Sequence, residues 1–338
     1  MKIALLGAAG FLGRAAALEF SRRPDVDELI LVDYVIRDAK RLAKALSAKC
    51  RWAMADVGKP IELTRLLEGI DAVACAVGPC GEYEKAVLTA CAAKCVVAAT
   101  SGDGTLPEAD RGEVDAAFRA SGVSAVSGCG LMPGWTELLA AHFLDAESPG
   151  PAPSAGPTRH LFFSPWRFGG YAFLRGVAKG IEGPAETPPG APAGGYFSLP
   201  DGSLVGVPEG KAARRFRGIT GTVGRLGPVG KEFSAALLLW LRNSMAGGVE
   251  APAAASGVSS GARYARVEDP AGRLAALTLV ETTVLLANAK GRIRPGLLPL
   301  PELIGREEAE RLAAAAGARI LAGDTPSLRP GPESGMSP

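Results

Sequence analysis

Short apolar runs alternate with segments of helical period through the first third of the chain. Residues 2–7 form an apolar run that ends in glycine, the pattern of a strand buried on both faces. Residues 11–22 follow with Leu12, Ala15, Ala16 and Phe20 on one side, which predicts a helix. The alternation continues with strands at 28–33, 50–56, 71–77, 95–99 and 123–127. Helices fall between them at 39–46, 60–68, 85–93 and 110–120. Six strands separated by helices predict an α/β fold with a doubly wound parallel sheet.

The pattern changes after Leu144. Residues 148–157 have the composition of a linker. Beyond them, strands are predicted at 158–164 and 195–199, with weaker ones at 203–207 and 212–219. A helix is predicted at 229–245, a small-residue loop at 251–261, a strand at 262–267 and a long helix at 274–289. The expected organisation is a first domain over 1–145, rejoined by about 291–322, with an inserted mixed α+β domain over 158–290. The inserted domain is the expected substrate and homodimer surface. The tail, 323–338, has the composition of a disordered segment.

Composition narrows the function classes. With 37 Lys plus Arg against 35 Asp plus Glu, no nucleic-acid or anionic-membrane partner is expected. The apolar start breaks into glycine at Gly7, and the uncharged stretch 120–136 is broken by Gly, Ser and Pro. Neither a secretory signal nor a membrane span is expected, which suggests a cytoplasmic protein. The six cysteines form no C-x-x-C pair and there are two histidines, so no metal site is expected. Buried, reduced thiols are the expected state.

Glycine at 7, 10 and 13 spells G-x-x-G-x-x-G between the first strand and the first helix. Gly7 permits a sharp turn off the strand, Gly10 a close backbone approach to a pyrophosphate, and Gly13 close helix packing. Ala9, Phe11 and Leu12 belong to the same turn. Asp33, twenty residues past Gly13, ends the second strand. That is where an acid accepts hydrogen bonds from an adenosine ribose, so this is a dinucleotide-binding Rossmann pattern. A carboxylate there repels a 2′-phosphate, which favours NAD(H) over NADP(H); Arg37 is the residue that could turn toward such a phosphate. Asp56 and Val57 follow the third strand, as an adenine contact or a helix-capping pair. Ala76, Val77, Gly78 and Pro79 end the fourth strand on the crevice side, beside the nicotinamide ribose or as a plain turn.

The sequence lacks a G-x-x-x-x-G-K-[ST] loop, and neither of its two histidines has a triad setting, which disfavours phosphoryl-transfer and hydrolase chemistry. The residues four after each tyrosine are Asp38, Val87, Arg175, Pro200 and Glu268. The Tyr-x-x-x-Lys pair of the extended tyrosine-dependent reductases is therefore missing. Three stretches instead resemble the saccharopine dehydrogenase-like family of NAD(P)-dependent oxidoreductases: Gly7–Gly13 with Asp33, the run from Ala76 to Tyr83, and the run from Gly128 to Ala140. The segment 291–300 is similar to that family's Pro-rich return.

The resemblance implies hydride transfer between a nicotinamide and a small molecule, at a C–N bond of an amino-acid conjugate. A related branch reduces C=C bonds. Met132 stands where the family carries an acidic or polar residue, so an enoyl-type reductase of an apolar substrate is an alternative. A dinucleotide sensor without turnover is another. Tyr83 is the candidate proton donor, with loop packing as the competing role. Cys80 and Cys129 are expected as pocket walls, not nucleophiles. Met132, Pro133 and Gly134 either contact substrate or shape a turn into a helix capped near Thr136. His160 and Arg167 are candidate carboxylate ligands, with structural and surface roles competing.

Overall fold

The computed structural model describes residues 1–78, 80–102, 106–144, 159–163, 183–185, 194–198, 204–208, 254–260 and 263–324. The first sheet holds β1 (Lys2–Leu6), β2 (Glu28–Asp33), β3 (Cys50–Met54), β4 (Ala72–Cys75), β5 (Val97–Thr100), β6 (Ser124–Val126) and β13 (Gly296–Leu298). Its spatial order is β13-β6-β5-β4-β1-β2-β3, and every pair is parallel. Chain order reverses between β1 and β4. A crevice therefore opens there at the carboxyl ends of the strands, where open α/β sheets bind ligands.

Six helices complete the first half: α1 (Phe11–Arg22), α2 (Ile36–Leu46), α3 (Pro60–Leu66), α4 (Cys80–Ala93), α5 (Glu108–Ser121) and α6 (Trp135–His142). Strands β1, β4 and β5 are almost entirely apolar and buried, as layers on both faces require.

The second sheet has the order β14-β12-β11-β7-β10-β9-β8. It comprises β7 (Arg159–Phe163), β8 (Gly183–Ala185), β9 (Gly194–Ser198), β10 (Leu204–Pro208), β11 (Ala254–Ser260), β12 (Arg263–Asp269) and β14 (Arg319–Asp324). Only β7 and β10 pair in parallel. Strand β12 alternates buried and half-buried residues, so one face packs inward. That face meets α6 and the helix α9 (Arg306–Ala316).

Several expectations shift. The predicted loop 251–261 contains strand β11: Ala, Ser and Gly let it lie flat between β7 and β12, and the backbone ladder supplies what the side chains lack. The first two residues of the tail expected from 323 belong to a strand: Gly323 and Asp324 pair with Tyr264 and Arg263, and 325–338 lie outside the described residues. Of the returning segment, β13 joins the first sheet but β14 joins the second. The long helix α7 (Leu274–Asn288), read as part of the inserted domain, packs on α1, β4 and β5. It is apolar all round, with nine buried residues, as a helix enclosed on several sides must be. The short helix α8 (Leu300–Leu303) was not read from sequence. The predicted elements at 212–219 and 229–245, and the linker 148–157, lie outside the described residues.

Polar contacts at several points fasten α7 to the rest. Trp135, fully buried, donates its indole N–H to the Thr278 hydroxyl at 2.8 Å. Arg23, after α1, pairs with Glu281 at 2.6 Å. Replacing Thr278 by Val keeps the shape but leaves the indole N–H buried and unpaired. The unfolding free energy, followed by urea denaturation, is expected to fall by about 1–3 kcal/mol.

Candidate functional site

The turn between β1 and α1 is built on close approach. Gly7 has φ +74°, and a Cβ on it would stand 2.8 Å from the Ala76 carbonyl oxygen. A Cβ on Gly13 would overlap the Gly7 carbonyl oxygen itself, so α1 can rest against the end of β1 only if residue 13 has no side chain. The turn is also tied to β2: the N–H groups of Gly7 and Ala8 donate to the Val32 carbonyl at 2.9 and 3.1 Å.

Helix α1 begins without a side-chain cap and without an acid in its first turn. Its positive end faces no acidic side chain of its own first turn.

Asp33 is fixed from two sides. Its Oδ2 accepts the Ala9 N–H and its Oδ1 the Val35 N–H, each at 2.9 Å. The carboxylate thus joins the glycine turn to the start of α2, with lone pairs remaining for further donors.

These elements wall a cavity of about 600 Å³. Gly7, Ala9, Gly10, Asp33, Asp56, Val57, Ala76, Val77 and Gly78, all singled out from sequence, line it. Phe11, Leu12 and Gly13 do not line it; they form the first turn of α1 behind it, with Phe11 about half exposed. Pro79 lies outside the described residues. Sequence reading missed Tyr34, Val35 and Asp38, which also line the cavity. An acid in the first turn after Asp33 was the available signal for Asp38.

Tyr83 lines the same cavity, and its ring stands over Gly58, next to Asp56. Gly58 N–H donates to Asp56 Oδ1 at 2.9 Å, so Asp56 closes a local turn. The tyrosine ring therefore packs against the loop that follows β3.

The residue after it reaches the ends of β5 and β6. Glu84 is fully buried and accepts hydroxyls from Thr100 and, at 2.7 Å, from Ser127. Its spacing with Val87, Leu88 and Cys91 marks it as a core-facing position of α4, a signal present in the sequence.

Ser127 borders a second cavity of about 250 Å³, shared with Leu106, Arg111, Pro133, Gly134 and Glu137. Pro133 and Gly134 are thus brought to a pocket, whereas Met132 and Cys129 are not among its walls. The helix start is Gly134, not Thr136: Glu137 reaches back to accept the Gly134 N–H and, at 2.7 Å, the Thr136 hydroxyl. Among the described residues, the Arg111 guanidinium has no hydrogen bond or ion pair. The side chains of Cys80 and His160, and all of Arg167, lie outside the described residues.

Burial pushes the Cys129 thiol up to about 12. Cys91 is also raised, by burial first and by neighbouring Cys75 second. Cys50, Cys75, Cys91 and Cys129 are buried and outside any disulfide, while Cys95 is exposed, against the expectation for it. Among the described residues no group of three or more His, Cys, Asp or Glu could hold a metal ion. No described helix is long and apolar enough to cross a membrane. Because the thiolate is the reactive form, iodoacetamide at pH 8 is expected to modify Cys95 and to spare Cys129 in the folded protein. Peptide mapping by mass spectrometry checks this.

No protein-family model and no curated protein matches the chain. Among solved structures, the apo saccharopine dehydrogenase (L-Glu forming) of Saccharomyces cerevisiae aligns with a TM-score of 0.61 at 11% identity, over 95% of this chain and 99% of that one. A triphenylmethane reductase of Citrobacter sp., complexed with NADP(H), aligns over 37% of this chain and 48% of its own, with 17% identity and a TM-score of 0.30. A dTDP-glucose 4,6-dehydratase of Streptomyces venezuelae, with NAD bound, aligns over 38% and 55%, with 18% identity and a TM-score of 0.29. The chain therefore shares its fold, nearly end to end, with saccharopine dehydrogenase.

Proposed function

We propose that this protein is an NAD(H)-dependent oxidoreductase that acts on a small molecule carrying an anionic group. The observation that carries this reading is the cavity over the strand-order reversal, walled by Gly7–Gly10, Asp33 and Ala76–Gly78. Its size falls within the range of cofactor pockets. The uncapped α1 terminus and the side-chain-free positions 7 and 13 fit a pyrophosphate, and Asp33 fits a ribose. The bound nicotinamide would supply the hydride acceptor or donor.

The protein's own residues orient and enclose. Gly7, Ala9 and Gly10 hold the phosphates against the end of α1. Asp33 holds the adenosine ribose hydroxyls and, being anionic, disfavours a 2′-phosphate. Ala76–Gly78 leave room beside them for the reactive ring.

At the substrate end, Arg111 offers a fork of donors suited to a carboxylate, next to the Ser127 hydroxyl. Arg111 favours an amino-acid-conjugate substrate, with chemistry at a C–N bond, over an apolar enoyl substrate. The hydrogen bonds of Ser127 and Thr100 to Glu84 support a proton-relay role for this group, while the Tyr83 ring packs beside Gly58.

NADH fluorescence titration tests the cofactor assignment. The wild type is expected to bind NADH, and Asp33→Ala to bind it about tenfold to a hundredfold more weakly, the loss of charge-assisted hydrogen bonds. Absence of NADH binding to the wild type contradicts the proposal. For the substrate end, amino acids paired with 2-oxo acids are screened by nicotinamide absorbance. Arg111→Ala is expected to raise KM for the anionic partner at least about tenfold while NADH affinity holds, the pattern of lost ground-state binding.

A further inference from the structure

The second cavity, of about 250 Å³, combines a single guanidinium with apolar walls. Arg111, half-buried, lines it from near the start of α5. Neighbouring acids on that helix are bonded elsewhere. Asp110 and Glu113 both pair with Lys85 at 2.6 Å, and Asp115 pairs with Arg119 at 2.8 Å. Arg111 is thus left without a hydrogen bond or ion pair among the described residues.

The remaining walls are built for carbon. Leu106 and Leu300 are buried, and three prolines join them, each with its φ held by its ring. The loop between β6 and α6 is packed just as closely: a Cβ on Gly134 would stand 2.6 Å from the Gly128 carbonyl oxygen. The cavity therefore has a set shape. Its volume falls below the range of about 300–1,000 Å³ for whole drug-sized ligands, so it suits a short chain.

A guanidinium beside apolar side chains fits a carboxylate, because its planar fork of donors matches the two oxygens. The other charged wall is Glu137, whose carboxylate accepts the Gly134 N–H and the Thr136 hydroxyl at the start of α6. A second carboxylate on the same ligand would meet either leucine and proline, where it loses water without gaining a partner, or the like charge of Glu137.

Resting on the reading of this cavity as the substrate end, we infer that it takes a short aliphatic monocarboxylate, a 2-oxo acid with an apolar side chain, and rejects dicarboxylates. Arg111 holds the carboxylate, and Leu106 and Leu300 pack on the aliphatic chain. Selectivity then comes from a repulsive element, Glu137, as well as an attractive one.

The test is a calorimetric titration of the full-length protein, with and without NADH, against isocaproate, glutarate and isohexanol. These probes carry one carboxylate, two and none. Isocaproate is expected to bind at least about tenfold more tightly than either of the others. Arg111→Met, similar in length, is expected to weaken isocaproate at least about tenfold while NADH affinity holds, and Arg111→Lys to restore part of the loss. In the absorbance screen, 2-oxoisocaproate is expected to exceed 2-oxoglutarate in kcat/KM.

Glutarate binding as tightly as isocaproate overturns the inference. So does isocaproate affinity that Arg111→Met leaves unchanged, an absence of isocaproate binding, or a kcat/KM that favours 2-oxoglutarate. Failure of the wild type to bind NADH contradicts the cofactor reading instead. Isocaproate binding that depends on Arg111 would still support the assignment of this cavity in that case.

Discussion

The close contact between the first turn of α1 and the end of β1 is the constraint on which the rest depends. No atom can be added at Gly13 without meeting the Gly7 carbonyl, and none at Gly7 without crowding Ala76. Those two positions set how near the helix lies to β1 and β4. They also determine where the positive end of α1 meets the crevice. The hydrogen bonds from Gly7 and Ala8 to Val32, and from Ala9 to Asp33, then lock the same turn to β2. Strand, turn, helix and acid form one unit, so the crevice is shaped before any ligand arrives.

From that unit the site extends in two directions along the sheet. Toward β3 its walls are Asp33, Asp38 and Tyr34, with the Tyr83 ring beside Asp56 and Gly58. Toward β5 and β6 it reaches a buried polar group, Glu84, holding the Thr100 and Ser127 hydroxyls. The two hydroxyls, both on Glu84 Oε1, offset part of the cost of burying the carboxyl group. Successive residues of α4 thus serve opposite ends of the crevice. Helix α7 closes the layer behind, with Thr278 bonded to Trp135 just past the cis Met132–Pro133 peptide.

Much of this was legible in the sequence, and the gaps have physical causes. The first sheet was readable because buried parallel strands are continuous apolar runs and each glycine of the turn has a distinct steric task. Residues 11–22 and 28–33 match α1 and β2 residue for residue. Strand β11 was not readable, because Ala, Ser and Gly carry no alternation and only its neighbours β7 and β12 make it a strand. The placement of α7 on the first sheet was hidden for a related reason: a helix apolar all round does not say which surface it covers.

At the site, the backbone-defined residues were legible and the side-chain partners were not. Gly7, Asp33 and Ala76–Gly78 follow from position in a strand–turn–helix pattern. Glu84, Arg111 and Asp38 depend on which helix faces which strand end, a tertiary fact. Tyr83 shows the same limit from the other side: its number places it after β4, but its rotation on α4 turns the ring toward Gly58.

The most direct measurement is a crystal structure of the protein grown with NADH. The account predicts the pyrophosphate on the first turn of α1 between Gly7 and Gly10, the adenosine ribose on Asp33, and the nicotinamide over Ala76–Gly78 with its C4 toward Ser127. A dinucleotide bound elsewhere, or lying in the reverse sense with its adenine toward β6, would contradict it.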